Sequence, residues 1–273
     1  MNEIRTHTAT VVRVDQLTPR MIRVTFSVPD YAGTGHADEW VPIFFGEPGD
    51  HRQRRNYTAR AIRPDAGEVD VDFVVHEHGL AVDWVRSATP GQQLQWWDQI
   101  GGSYGPPADT DWRLVVGDIA ALPAIGRIVE ELPAGERATV VAEVFDEADR
   151  QEWVTAGDVD VRWLHGSGEG RAPSRLEEAV RTFPEPDGQG YIWMAGETRT
   201  VRATRRYLRH ERRLAGERYS LTGYWLTNAD DWAARFEPIA AEMEAIWTRG
   251  EAEGRDLEEI IDEYDTALDR AGL

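Results

Sequence analysis

The hydrophobic rhythm of the chain changes once, at GGSYGPPADTD (101–111), and this change constrains the fold more than any other feature. Glycine and proline at that density interrupt helices and strands alike, so the stretch reads as a linker between two domains. Before it, short β-branched or alternating runs recur: THTATVVRV (6–14), MIRVTFSV (21–28), VPIFF (41–45), NYTARAI (56–62), EVDVDFVVH (68–76) and QLQWW (93–97). LTPR (17–20) supplies a hairpin turn between the first two, and AVDWVRSA (81–88), closed by TPGQ, a short helix. Many short strands separated by turns predict a small antiparallel β-barrel over residues 1–108.

After the linker, strands alternate with helices. RLVVGD (113–118), ATVVAEVF (138–145), VDVRWLH (159–165), YIWMAGE (191–197) and ERYSLTGYWL (217–226) read as strands. LPAIGRIVEEL (122–132), SRLEEAVRTF (174–183) and TRTVRATRRYLRHERRL (198–214) read as helices. That alternation predicts an α/β domain with a doubly wound parallel sheet over 109–228. Residues 229–273 read as two further helices, WAARFEPIAAEMEAIWTR and DLEEIIDEYDTALDRAG, forming a C-terminal helical extension. From Asp230 onward, 14 acidic residues face 4 arginines, so −10 of the formal net charge of −19 lies there. Such a run is either a solvated helix face or a surface for gating or partner docking.

Composition removes several chemistries. There is no cysteine, hence no disulfide, zinc–thiolate site, iron–sulfur cluster or thiol nucleophile. There is no lysine either, hence no Schiff base and no Walker A motif; anions are left to arginine, histidine and backbone amides. The negative charge argues against nucleic acid as a partner. No apolar run approaches the roughly 18–20 residues that span a membrane, and MNEIRTHTATVVRV lacks the apolar core of a signal peptide. The expectation is a cytoplasmic protein without membrane contact, and a monomer, since nothing demands an oligomer.

Four stretches carry candidate chemistry. In RRNYTAR (54–60), strand alternation puts Arg55 and Tyr57 on one face and Thr58 on the other. An arginine two residues from a tyrosine can grip a phosphate while the ring packs on a flat heterocycle; the same spacing also suits an edge strand with solvated arginines. In HEHGLAVDW (76–84), a strand ends at His76 and a helix begins near Ala81, with Gly79 in the turn. Free amides and an imidazole make an anion site there, or the stretch is a plain junction with two surface histidines. His76 and His78 lack a third ligand nearby, so no metal is expected. VVGDIAALPAIGR (115–127) occupies the place of a first nucleotide crossover without being G-x-G-x-x-G; it offers Asp118 at a strand end and Arg127 farther along the helix. WMAGE (193–197) and TGYW (222–225) fall at strand carboxyl ends, where such sheets bind ligands; Tyr224 and Trp225 cover either a flat ring or the core.

In this order, over about Thr8 to Trp225, these motifs resemble the siderophore-interacting protein family, FAD-containing ferric-siderophore reductases of the ferredoxin-reductase-like superfamily. The resemblance rests on Arg55-x-Tyr57-Thr58, on VVH with Gly79, Ala81, Trp84 and Pro90-Gly91, on GDIAALPAI, and on WMAGE followed by TGYW. It implies that Arg55 holds the FAD phosphates, that Tyr57 packs along the isoalloxazine and ribityl, and that Thr58 hydrogen-bonds the reactive flavin edge, making Tyr57 and Thr58 the catalytic pair. It places His76, Gly79 and Ala81 at the pyrophosphate, with Trp84 in the adjoining helix. Asp118, Ala195, Gly196 and Glu197 would line the cleft for nicotinamide or substrate, with Tyr224 and Trp225 beside them.

The chain departs from the family pattern at Ala120, where threonine is usual, and at Leu226, where arginine is frequent. HEHGL is also less glycine-rich than the family's phosphate loop. Arg127, His51 and Arg52 are then the candidates for binding an anionic ferric chelate. The resemblance implies FAD as cofactor, NADPH or NADH as donor and a ferric siderophore as substrate. The alternatives are a flavin oxidoreductase exchanging electrons with a protein such as ferredoxin, and a ferric-siderophore binding protein without turnover.

Overall fold

The computed structural model describes residues 5–47, 50–97 and 101–273, with the side chains of His51 and Asp230 outside the described set. The first domain is one antiparallel sheet of seven strands: β1 (Thr6–Thr18), β2 (Met21–Ser27), β3 (Trp40–Phe44), β4 (Arg54–Thr58), β5 (Ala61–Arg63), β6 (Glu68–Val74) and β7 (Gln93–Trp97), with α1 (Leu80–Val85) between the last two. The strand order is β4-β3-β7-β1-β2-β6-β5. The inward-facing positions, among them Ala9, Val11, Val24, Phe26, Val41, Ile43, Val69, Val71, Phe73, Leu94 and Trp96, form one core.

NYTARAI does not run as one strand. It divides into β4 and β5, which lie at opposite edges of the sheet yet are joined only by Ala59 and Arg60. The Ala59 amide donates to the Glu39 carbonyl (2.9 Å) and the Arg60 amide to the Asp70 carbonyl (2.8 Å), so the connection bridges both edges. This forces the sheet to curl into a barrel-like shape, and the Tyr57 ring on β4 comes within 4.4 Å of the Phe73 ring on β6. Among the described residues no ladder joins β4 to β5, so the barrel is not closed by hydrogen bonds.

The second domain holds β8 (Trp112–Asp118), α2 (Leu122–Glu130), β9 (Arg137–Val144), β10 (Asp158–His165), α3 (Leu176–Arg181), β11 (Gly190–Glu197), α4 (Thr198–Arg206) and β12 (Tyr219–Trp225). Its five strands are all parallel, in the order β10-β9-β8-β11-β12. Every residue of β8 is buried, as a central parallel strand covered on both faces requires. Val115, Leu122, Ile125, Ile128, Trp193 and Ala195 pack on one face; Leu114, Val116, Leu176, Val180, Met194 and Val201 pack on the other. Chain direction through the sheet reverses between β8 and β11, so their carboxyl ends mark the crevice where open α/β sheets take ligands.

The extension forms α5 (Ala229–Phe236), α6 (Ala240–Ala252) and α7 (Leu257–Arg270). The first expected helix breaks at Glu237–Ile239, where Pro238 cannot donate to the helical ladder. Met243, Ile246, Ile260, Ala267 and Leu268 give the tail its own small core. Much of the acidity of α7 faces inward. Buried Arg202 on α4 donates to the Leu273 and Asp265 carbonyls (2.9 and 2.8 Å) and to Asp269 Oδ1 (2.6 Å). Arg205 pairs with Asp265 (3.4 Å), Arg206 with Asp269 and Arg209 with Asp262 (3.7 Å). Among the described residues no helix is long and apolar enough to cross a membrane.

Candidate functional site

The two domains meet where the β4–β5 connection packs on α2 and Asp38 reaches Trp193 on β11. On β4, Arg55 is exposed, and its Nη1 donates only to main-chain carbonyls, those of Arg52 (3.0 Å) and Arg54 (2.8 Å). Neither Arg54 nor Arg55 has a carboxylate partner among the described residues, whereas Arg23, Arg60, Arg63 and Arg127 nearby all do. Tyr57 is half-buried against Phe73 and Phe45, and burial pushes its phenol well above the usual range. Thr58 is buried beside the Tyr224 hydroxyl of the other domain. Burial pushes that phenol up too, with the Asp38 carboxylate adding to the effect.

Behind Tyr57 the aromatic packing continues. Trp84 on α1 lies 5.7 Å from both Phe45 and Phe73 and stacks on Phe26 at 6.1 Å, so it backs the site through the core. The turn before α1 is built on Gly79. Its φ of +150° and the 3.1 Å separation between a Cβ placed there and His76 Cε1 leave room only for glycine. The first helical bond is donated by Asp83 to the Gly79 carbonyl, so the amides of Leu80, Ala81 and Val82 have no acceptor within the helix. Burial lowers the His76 imidazole from its ordinary value, and the charges of Arg20 and Arg86 lower it further.

On the other side of the junction, Asp118 is only 1% exposed. Its Oδ1 accepts from the Ala120 amide (3.0 Å), and its Oδ2 from the Glu197 amide (2.9 Å) and Trp225 Nε1 (2.7 Å). Burial raises its carboxyl to about 7 against the pull of these three donors, and neighbouring Glu143 raises it further. Gly196 has φ +152°, and a Cβ there would lie 2.6 Å from Asp118 Oδ2. Glu197 caps α4 by accepting from the Thr200 amide (3.0 Å).

The sequence-derived chelate contacts fare differently from these wall residues. Arg52 is 90% exposed and bound to Asp50 (3.0 Å), whose carboxyl it lowers to about 2. His51 has its side chain outside the described residues. Arg127 is not on an open surface. It is buried, its Nε donates to Glu131 (2.7 Å), and its Nη1 crosses to the Ala59 carbonyl (2.8 Å), so it is a strut between α2 and the β4–β5 connection.

Arg60, to which the sequence analysis assigned no role, is a second strut. It is 4% exposed, and its Nη1 donates to Glu130 Oε2 on α2 (2.7 Å). Strand alternation does not reach it, because β4 ends at Thr58 and Arg60 lies in the connection to β5. Asp38 was also missed. It accepts from the Ser103 and Tyr104 amides and from Trp193 Nε1 (2.9, 2.9 and 3.0 Å), tying the linker to both domains. Nothing in its local sequence separates it from an ordinary loop acid.

Guanidinium groups without acid partners, amides without acceptors in the helix, an imidazole and a half-buried aromatic wall are the donor set for a long, flat, phosphorylated cofactor. FAD fits this description. Among the described residues there is no histidine–carboxylate cluster able to hold a metal ion.

Comparison with known proteins identifies both halves of the chain. The siderophore-interacting FAD-binding domain model matches residues 10–54 and 47–98, and the siderophore-interacting protein model matches residues 110–228. A ferric vibriobactin reductase of Vibrio cholerae is 33% identical over 177 residues, 63% of this chain; the chain spans 64% of that relative's length. A siderophore utilization protein from T. fusca superposes with a TM-score of 0.73 at 27% identity, over 84% of this chain and 95% of that one. A siderophore-interacting protein from Aeromonas hydrophila superposes with a TM-score of 0.67 at 29% identity, over 82% and 99%.

Proposed function

The chain belongs to the siderophore-interacting protein family, and from that premise we propose that it is an FAD-dependent reductase of ferric siderophores acting in the cytoplasm. The observation that carries the reading is the pairing at the junction: two arginines without acid partners and the half-buried Tyr57 lie on one strand, whose last residue, Thr58, meets Tyr224 of the second domain. FAD, when bound, supplies the redox chemistry, taking hydride from a nicotinamide and returning electrons singly to ferric iron.

The chain's own residues bind, orient and exclude water. Arg55 would meet the phosphates as a fork donor, and the amides from Leu80 to Val82 with His76 and Gly79 would cradle the pyrophosphate. Tyr57, backed by Phe45, Phe73 and Trp84, closes one face of the ring system to water. Thr58 orients the reactive edge through its hydroxyl. Asp118, Gly196, Glu197, Tyr224 and Trp225 form the opposite wall, where donor and substrate approach. Arg52 and His51 sit on the loop before β4, at the rim where an anionic chelate would arrive. Oxygen chelators hold ferrous iron weakly, so reduction frees the metal, and the protein needs no iron ligand of its own.

NADH is the first donor to test. Arg202, Arg205, Arg206 and Arg209 are engaged by α7, which leaves fewer cations for the 2′-phosphate of NADPH. A protein donor such as ferredoxin is the second. The protein reconstituted with FAD, mixed anaerobically with NADH, then NADPH, then reduced ferredoxin, distinguishes them by which one bleaches the flavin. A protein that takes up no FAD under any condition defeats the proposal.

A further inference from the structure

β10 runs into the loop HGSGEGR (165–171), where four residues have positive φ: Gly166 (68°), Gly168 (75°), Glu169 (59°) and Gly170 (69°). Three of the four are glycine, which takes that conformation without steric cost. Glu169 does not. Its position keeps a side chain against backbone preference, and such an outlier points to a use for the side chain.

The Glu169 carboxylate has two partners. Oε1 accepts from the Phe145 amide just past β9 (2.9 Å), and Oε2 pairs with Arg20 Nη1 of the first domain. The Glu169 side chain is 3% exposed and that of Arg20 23%, so ions in solution screen the pair little. Arg20, in the turn between β1 and β2, is a junction itself. Its amide donates to Asp149 Oδ1 (3.0 Å), which also accepts from Thr18 Oγ1 (2.9 Å). Its carbonyl accepts from the amide of Val75 (2.8 Å), the residue before His76. Its charge is near enough to His76 to lower the imidazole. Arg20 therefore holds the second domain by main chain and side chain, and through Val75 it abuts the turn 76–79 that leads into α1.

The loop borders the candidate site. A Cβ at Gly170 would lie 3.7 Å from Thr227 Cγ2 and 4.0 Å from Trp225 Cη2. Trp225 itself follows a bulge. Gly196 lies opposite Gly223 and Glu197 opposite Trp225, so Tyr224 is the extra residue, and Trp225 Nε1 donates to Asp118 Oδ2 (2.7 Å). At the base of the loop, buried Glu143 on β9 accepts from Ser167 Oγ (2.7 Å), Ser174 Oγ (2.8 Å) and the Arg175 amide (2.7 Å). Glu143 thus fixes one side of the loop, and Glu169 the side that reaches the first domain. At ordinary strand spacing the end of β10 lies about 10 Å from that of β8. A dinucleotide laid across the switch point with its reactive end near Asp118 would rest its far end here.

We propose that Glu169 and Arg20 are positioning residues: they couple the turn that would receive the FAD pyrophosphate to the loop on which the electron donor would rest, so that loading the cofactor orders the donor's side of the crevice. The inference rests on the reading of 76–82 as the pyrophosphate turn.

Peptide-resolved hydrogen exchange over residues 76–84 and 165–173 is measured on the full chain, with and without saturating FAD. The wild type, Glu169→Gly and Arg20→Met are compared. The amides of Gly166, Gly168, Arg171 and Ala172 are hydrogen-bonded in or beside the loop and report its order. Glycine at 169 accepts the positive φ, so that variant removes the carboxylate without adding backbone strain. Arg20→Met leaves a buried carboxylate without its cation and is the harsher change. In the wild type, FAD should slow exchange in both segments, by about tenfold in 165–173, the size of one charge-assisted hydrogen bond. In both variants FAD should still protect 76–84, and its effect on 165–173 should fall below about twofold. In the loaded protein, Glu169→Gly should raise the KM of the donor that bleaches the flavin about tenfold and leave kcat within about twofold.

Equal protection of 165–173 by FAD in wild type and Glu169→Gly, or protection of 76–84 alone in the wild type, overturns the coupling while the flavin reading stands. So does a fall in kcat with KM unmoved. Bound FAD that leaves 76–84 unchanged places the pyrophosphate elsewhere and overturns the coupling too. A chain that takes up no FAD defeats the proposed function and the coupling with it. Should Arg20→Met fail to fold, Glu169→Gly decides alone.

Discussion

Gly126 lies in the middle of α2, a position where helix propensity favours alanine by about 1 kcal/mol. Its surroundings predict the opposite outcome. A Cβ at Gly126 would lie 2.6 Å from Trp153 Nε1 and 3.0 Å from both Nε and Nη2 of Arg60. Arg60 is the strut whose Nη1 reaches Glu130 at 2.7 Å, with Asp72 at 3.9 Å from Nε. Parting a buried ion from its partner costs roughly 3–5 kcal/mol. Glu130 is 37% exposed, so solvent screens part of that attraction and about 2–3 kcal/mol is the better figure. After the propensity gain, Gly126→Ala should destabilise the chain by about 1–2 kcal/mol, a fall in melting temperature of roughly 2–8 °C for a protein of this size. Differential scanning calorimetry of Gly126→Ala, Arg60→Met and the double variant forms a cycle. In the Arg60→Met background, Gly126→Ala should cost distinctly less, because one of the two colliding groups is gone. A higher melting temperature for Gly126→Ala alone, or the same cost in both backgrounds, would refute the packing argument.

Arg55→Ala should weaken FAD binding about 10- to 100-fold through loss of a charge-assisted contact, read by fluorescence titration; unchanged affinity removes Arg55 from the site. Arg202→Met leaves Asp265, a carboxyl already raised by burial, without one of its two cations. Limited proteolysis should then cut within residues 229–273 at least about tenfold faster while the flavin spectrum persists, and an uncut tail would argue against the clamp. Asp118 predicts a pH effect on stability with a definite sign. Its folded-state value, about 7, lies above the unfolded value near 4, so the stability it contributes is fully present below pH ~4 and is lost as pH rises to about 7. Across that window the melting temperature of the wild type should fall relative to Asp118→Asn, and parallel curves would contradict the assignment.

The two-part fold was open to sequence reasoning because it rests on local chemistry: period two in the first part of the chain and strand–helix alternation in the second. The nearest miss was the strand NYTARAI. Its composition runs on unbroken, and only the curl of the sheet makes Ala59 and Arg60 a bridge between two edges. Arg127 shows the same limit. Helical spacing says which side of α2 it occupies but not that the Ala59 carbonyl covers that side. The opposite charges of α4 and α7 were plain in the sequence, yet their pairing depends on the tail folding back. The Tyr224 bulge was beyond reach, because register between parallel strands exists only once both are placed. For the candidate site, Tyr57, Thr58, Gly79 and Gly196 were proposed from their neighbours in sequence, whereas Asp38 and Arg60 make their contacts far along the chain.

The central claim is that flavin bound at Tyr57 and Thr58 passes electrons to ferric iron held in a chelate. The FAD-loaded protein is photoreduced in the absence of oxygen and mixed with a ferric siderophore and a colorimetric trap for ferrous ion. The account predicts that the oxidised flavin band returns in step with formation of the ferrous complex, and that Arg55→Ala, which holds less FAD, gives proportionally less of both. A reduced flavin that stays bleached in the presence of the ferric chelate would contradict it.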